Sequence, residues 1–412
     1  MIKKKITEEY LLILFLISSF LFNIYNWKVS GIEDFELHFY VGFILMLGVA
    51  IIKFIVNSRL HQSTKYFIRI LGTLFLANFL FSESQPLCQL GFIKMIISGG
   101  LLFFITILGF DIAIKSSEEG WKKVPYAALF TLLFFIASCF LEYFDPSFWP
   151  DKQHYRDIGL YSGVLGEPSF LGWSSATLLG LIFLGPSILK FIGTALWLTV
   201  CFVSPTATFL ILSFSLLIYF TLIKTGRVFL ALSSIVVIVT LLFLDITYFG
   251  FLKLFSGYLY ERVVTVFMLT NIDSNIGIGH SYYAQGILDA WVAFSQSYTL
   301  GAGHNRMGCF ESYDSPILDS LPPEDEPMAR GAFLLAKIIY EWGLLGAIFI
   351  SFIIYFIFRS SSLKRKINEE MSLFIIYISL LTWIFRSNVY TDHMYFIIAL
   401  PPMLILMKKN KL

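Results

Sequence analysis

What most constrains this chain is a succession of apolar runs, each about as long as a membrane-crossing helix, set apart by short charged clusters. A hydrocarbon core about 30 Å thick takes about 20 mostly apolar residues at about 1.5 Å of rise each. Twelve such segments begin near Tyr10, Phe39, Tyr66, Phe92, Pro125, Ser169, Ile188, Thr206, Val228, Ala332, Met371 and Met394. Gly185 and Pro186 divide the stretch from Ser169 to Val203 into two short spans rather than one long helix. Only 14% of the residues are charged, against about 25% in a soluble domain. Soluble, disordered, coiled-coil and disulfide-scaffold classes are excluded on these grounds. The net charge of +2 and the lack of a basic domain leave nucleic acid no place among the partners. The expectation is an all-α polytopic integral membrane protein, a single transmembrane helical domain over residues 1–412. The run from Tyr10 to Trp27 follows three lysines without a small-residue cleavage site, and reads as a retained first helix.

Basic residues orient the spans. With the N-terminus in the cytoplasm, the inner clusters are Lys3, Lys4 and Lys5; Lys53, Arg59, Lys65 and Arg69; Lys115, Lys122 and Lys123; Lys190; Lys224 and Arg227; Arg359, Lys364, Arg365 and Lys366; and Lys408, Lys409 and Lys411. They hold 20 of the 30 Lys and Arg residues, and the short outer loops are nearly free of them. Both termini are therefore expected in the cytoplasm. Two long outer loops remain, about 143–168 and 250–331, and loops of that length are usually functional or disordered. In the larger one Ala284, Ile287, Leu288, Trp291 and Phe294 follow helical spacing, with Gln285, Asp289 and Ser295 on other faces. Two readings stand: a helix packed on the bundle top, or one lying in the outer interface beside a lipid-linked substrate. The four cysteines have no CxxC spacing, and Cys88 and Cys309 are placed to pair if the compartment oxidises.

Chemistry concentrates in those loops. Glu167 precedes Pro168, which is suited to a first helical turn because its missing N–H breaks no internal bond. Its carboxylate either interacts with the helix dipole or serves as a base or sugar-hydroxyl acceptor. In the larger loop, Gly301, Gly303 and Gly308 permit tight bending around His304, Asn305 and Arg306. An imidazole accepts a proton near neutral pH. Arg156, Arg262, Arg306 and Arg330, with Arg386 at a helix end, lie on the outer side. Guanidinium forks bind phosphate oxygens bidentately and stay charged, so together they suit a diphosphate, while each singly has a carboxylate partner as its plainer role. No glycine-rich nucleotide loop, zinc-ligand pair or serine-hydrolase elbow is present. Neither a metal nor a cofactor is called for, and an enzyme of this kind would use a donor already activated outside the cytoplasm.

The chain resembles the O-antigen polymerase (Wzy-type) family, within the O-antigen ligase and polymerase superfamily. The resemblance is carried by Arg156…Gly159…Gly166-Glu167-Pro168-Ser169-Phe170-Leu171-Gly172, by Ser204-Pro205-Thr206-Ala207-Thr208, by Leu300-Gly301-Ala302-Gly303-His304-Asn305 and by Tyr340-Glu341-Trp342-Gly343-Leu344-Leu345-Gly346. It covers Arg156 to Gly346, about half of the chain. It implies metal-independent glycosyl transfer on the periplasmic face of a bacterial inner membrane, with an undecaprenyl-diphosphate-linked oligosaccharide as substrate. It also implies membrane lipid and a chain-length-regulating copolymerase as partners. His304 and Glu167 are the rival bases, and Arg156, Arg262, Asn305, Arg306 and Arg330 the diphosphate and sugar ligands. Phe333 to Tyr340 holds no histidine, which favours polymerase over ligase within the superfamily. The remaining alternatives are that ligase, joining polysaccharide to lipid A core, and a lipid-linked oligosaccharide flippase.

Overall fold

A computed structural model of the chain describes residues 2–21, 41–56, 59–83, 92–146, 156–157, 160–165, 167–204, 206–227, 275–302, 310–314, 334–361, 363–385 and 395–409. Among them the architecture is all-helical. In chain order the helices are α1 (Ile2–Phe20), α2 (Val41–Val56), α3 (Gln62–Glu83), α4 (Phe92–Lys115), α5 (Glu118–Lys122), α6 (Val124–Phe144), α7 (Pro168–Phe183), α8 (Ser187–Val203), α9 (Ala207–Ile218, continued by a π turn over Tyr219–Ile223), α10 (Asn275–Gln296), α11 (Leu334–Ser361), α12 (Ile367–Phe385) and α13 (Tyr395–Lys409).

Eleven of the twelve anticipated apolar segments are helices; the twelfth, from Val228, lies outside the described residues. Spanning capacity is more limited. Among the described residues three stretches are long and apolar enough to cross a membrane: Glu118–Phe144, Leu334–Ser361 and Ile367–Ile384. Helices such as α7 and α8, with 16 and 17 residues, run about 24–26 Å, short of a core about 30 Å thick.

Local chemistry explains the boundaries. Ser117 caps α5, accepting the Gly120 N–H at 3.3 Å, and Glu118 and Glu119 occupy its first turn, where the helix dipole favours anions. The chain turns at Gly185-Pro186, so α7 and α8 are separate helices as expected. Thr206 caps α9, its hydroxyl accepting the Phe209 N–H at 3.2 Å.

Helix α7 is the centre of the bundle. Residues 171–182 are buried without interruption, with α6, α8, α9 and α12 packed around it. Its small residues allow the close approach. A Cβ on Gly180 would overlap the Phe374 ring of α12, and one on Gly172 would lie 2.5 Å from the Thr206 hydroxyl. Phe20, Trp173 and Tyr395 join α1, α7 and α13, with Phe20 and Tyr395 stacked at 4.8 Å. Tyr219 and Tyr377 tie α9 to α12, donating to the carbonyls of Glu370 and Ser215 at 3.2 and 3.1 Å.

The helix ends flanked by basic clusters meet at one end of the bundle. Glu9 accepts from Ser117 at 2.6 Å and from Lys123 at 2.8 Å, and Lys224 pairs with Glu370 at 2.6 Å. Arg365 donates to the Lys224 carbonyl. Asp111, wholly buried, binds Lys53 at 2.9 Å and Lys115 at 2.7 Å through one oxygen. Its other oxygen accepts from the His61 N–H at 2.7 Å and the Thr64 hydroxyl at 2.8 Å. One carboxylate thus fastens α2, α3 and α4 together.

Candidate functional site

At the C-terminal end of α6 a carboxylate organises the smaller loop. Glu142 is wholly buried. One oxygen accepts the backbone N–H groups of Ser162 and Gly163 at 2.9 and 2.7 Å; the other lies 3.8 Å from the Arg156 guanidinium, an ion pair rather than a hydrogen bond. Gly163 has φ +58°, and a Cβ there would overlap the Ser138 hydroxyl of α6, which accepts the Val164 N–H at 3.0 Å. Only glycine lets the loop lie this close. Arg156 therefore has the carboxylate partner that its plainer role foresees, a partner absent from the sequence expectations. The cue was a glutamate in the last turn of an apolar helix, whose charge cannot stay buried unpaired.

Glu167 stands at the N-cap of α7, with Pro168 opening the helix as anticipated. Its carboxylate accepts the Ser169 hydroxyl at 2.9 Å and does not cap a backbone N–H. The side chain is half-buried.

The larger loop brings two glycine motifs forty residues apart into contact. Helix α11 is broken at Gly343, with φ +51° and ψ −129°. At the break, the Tyr340 carbonyl accepts the Ala302 N–H at 2.8 Å, and the Leu344 N–H donates to the Thr299 carbonyl at 2.7 Å. A Cβ on Gly301, itself at φ +83°, would lie 2.6 Å from both the Glu341 carbonyl and the Gly343 nitrogen. The Ser297 hydroxyl accepts the Gly301 N–H at 2.7 Å. The segment entering Gly303-His304-Asn305-Arg306 is thus clasped to α11. Beside the break, Glu341 is wholly buried, 3.8 Å from Lys337 one turn earlier.

Helix α10 exists where the spacing foresaw it and packs on α11, with Gln285 and Asp289 rather than its largest apolar side chains turned inward. Ile287 and Trp291 are 57% and 64% exposed, while Gln285, Asp289, Ala290 and Ala293 face inward. The buried polar pair is used: Asp289 accepts from Gln285 at 2.9 Å and from the Tyr313 N–H at 2.8 Å, and Gln285 donates to the Tyr313 carbonyl at 2.8 Å. The Tyr340 hydroxyl accepts the Phe310 N–H at 3.0 Å. Strong hydrogen-bonding demand outweighs apolar spacing when a partner strand of loop must be held.

Of the anticipated site residues, Arg156 and Glu167 share the smaller loop without touching each other among the described contacts. Arg262, His304, Asn305, Arg306, Arg330 and Arg386 lie outside the described residues, as do Cys88 and Cys309. Among the described residues no three His, Cys, Asp or Glu side chains gather as a metal site.

The fold defines a class, an all-helical bundle with apolar helices suited to a membrane. Comparison with known proteins goes no further: no family model, no curated protein and no solved structure matches the chain.

Proposed function

We propose that this protein is a twelve-span inner-membrane enzyme that polymerises undecaprenyl-diphosphate-linked O-antigen or related surface polysaccharide repeat units on the periplasmic face. In the reaction a hydroxyl of the acceptor repeat unit attacks the anomeric carbon of the donor chain. The new C–O bond forms as the bond to the lipid diphosphate breaks, the hydroxyl proton passes to His304 or Glu167, and undecaprenyl diphosphate leaves. Arginines that hold the departing charge, and a fixed orientation of the two sugars, supply most of what such a reaction needs. The observation that carries the reading is Glu142, whose buried carboxylate holds the loop of Arg156 against α6. Arg156 is paired with that carboxylate at 3.8 Å, so its part is to fix the loop, and the diphosphate falls to Arg262, Arg306 and Arg330 with Arg156 at the margin.

The experiment is complementation of a polymerase-deficient strain, with the polymer ladder on lipopolysaccharide as readout. Arg262→Ala and Arg306→Ala are expected to abolish long chains without lowering membrane levels, and Lys at those positions to restore them partly. Wild-type ladders in both Ala variants would sink the diphosphate site. If His304 is the base, His304→Ala costs about 10²–10⁴ in rate, the usual size of general-base catalysis, while Glu167→Gln keeps some activity. The reverse pattern assigns the base to Glu167, and retention in both leaves leaving-group stabilisation to carry the reaction.

The break in α11 and the buried Lys337–Glu341 pair favour a second reading, a lipid-linked oligosaccharide flippase, because transporters use interrupted helices and buried charges. A deletion strain separates these and the ligase. Single repeats on lipid A core mean polymerase, no attached sugar means ligase, and loss of exported units means flippase.

A further inference from the structure

Helices α8 and α9 follow one another through a short link, and each packs on α7, yet they hardly touch each other. The gap between them is a cavity of about 490 Å³, lined by Phe183, Trp197, Leu210, Ser213, Phe214 and Phe220 among others. That volume falls within the range of about 300–1,000 Å³ usual for ligand sites, and the lining offers almost nothing polar. Its walls continue outward into exposed apolar side chains on the same two helices: Phe191, Leu198 and Phe202 on α8, Ile211 and Leu217 on α9.

The two ends of the gap differ. At the α8–α9 link Thr206 approaches Gly172 of α7 to contact and Phe209 is wholly buried, and the link holds no charged residue. At the other end stand Lys190 on α8 and Lys224 and Arg227 after α9, all exposed. The Lys224 ammonium lies 5.8 Å from the Phe220 ring centre, at the margin of the lining. An apolar slot rimmed by cations at one end matches a molecule with a hydrocarbon tail and an anionic head.

We infer that the α8–α9 gap is a binding site for an anionic phospholipid, one acyl chain lying against Trp197 and Phe214 and the phosphate at the end of Lys190 and Arg227, where Lys224 is already paired with Glu370. The cations stand at the opposite end of the helices from Glu142 and Glu167, so this lipid is distinct from a substrate anchored there. The inference does not depend on the glycosyl-transfer reading, and the test involves no enzymatic readout.

Two measurements on the full-length protein check it. In native mass spectrometry with phosphatidylglycerol and phosphatidylcholine of identical chains, the wild type is expected to retain phosphatidylglycerol preferentially. The Lys190→Ala/Arg227→Ala double variant should lose that preference about 5- to 30-fold, taking about fivefold per cation. Ser213→Phe, which fills the slot, should retain neither lipid. The second measurement needs no altered packing. In nanodiscs, phosphatidylglycerol brominated on its acyl chain should quench a tryptophan component that is missing in Trp197→Phe. Unbrominated phosphatidylglycerol should relieve the quenching, and phosphatidylcholine should not. Equal retention of the two lipids, or the same quenching in Trp197→Phe, overturns the proposal. Quenching by neither lipid also overturns it, since another segment or a second copy then fills the gap.

Discussion

Replacing Gly343 by alanine strikes the clasp between α11 and the loop that leads to His304. At φ +51° and ψ −129° a residue with a Cβ is held in a region almost reserved for glycine, at a cost of order 1–3 kcal/mol. The new Cβ would also overlap the Thr299 carbonyl and lie 2.6 Å from the Gly301 nitrogen. Both are backbone atoms, so relief means separating the strands of the clasp. That breaks the bonds from Ala302 to Tyr340 and from Leu344 to Thr299, about 0.5–1.5 kcal/mol each. Together the change costs about 2–6 kcal/mol. The proper control is Gly48→Ala in α2, where a Cβ meets nothing within 4 Å and alanine should stabilise the helix by about 0.5–1 kcal/mol. Thermal aggregation of the purified proteins and the polymer ladder in a complemented strain provide the readouts. Gly343→Ala is expected to melt several degrees lower and to lose long chains, with Gly48→Ala at or above wild type in both. Gly343→Ala with the melting temperature and ladder of Gly48→Ala would refute the clasp.

Three further predictions rest on other parts of the molecule. Glu142→Ala strands two buried N–H groups and should destabilise by about 2–4 kcal/mol, whereas Glu142→Gln keeps an acceptor and most of the stability; equal melting temperatures for wild type and Glu142→Ala would dismiss its anchoring role. Asp111→Ala leaves the buried Lys53 without its carboxylate and should cost about 3–5 kcal/mol, read as reduced membrane yield and earlier aggregation; an unchanged yield and melting temperature would show the triad to be dispensable. Reporter tags near Lys115, Lys224 and Lys364 should register cytoplasm and tags near Asp151 and Asp314 periplasm; either of the last two registering cytoplasm inverts the topology and removes the periplasmic site.

Helix existence was legible in the amino-acid sequence because it is a local property. Runs of apolar residues, the Gly185-Pro186 break, the Pro168 start and the Thr206 cap each act within a turn of the chain. The basic clusters were equally legible, but not the partners they take, Glu9 for Lys123 and Glu370 for Lys224. Which helix sits at the centre was beyond local reasoning, since α7 is no more apolar than its neighbours and owes its place to glycines that admit Phe374 and Thr206. Which face of α10 turns inward was beyond spacing for a related reason. Spacing ranks faces by hydrophobicity, while Gln285 and Asp289 are buried to hold the backbone of Tyr313, twenty-four or more residues away. The glycines of both clasp motifs could be noted one by one, but not that Gly301 lies against Gly343. Tertiary structure alone decides such pairings, because a backbone hydrogen bond or a carboxylate's partner depends on which segments the whole bundle brings within 3 Å, and no periodicity along the chain records that.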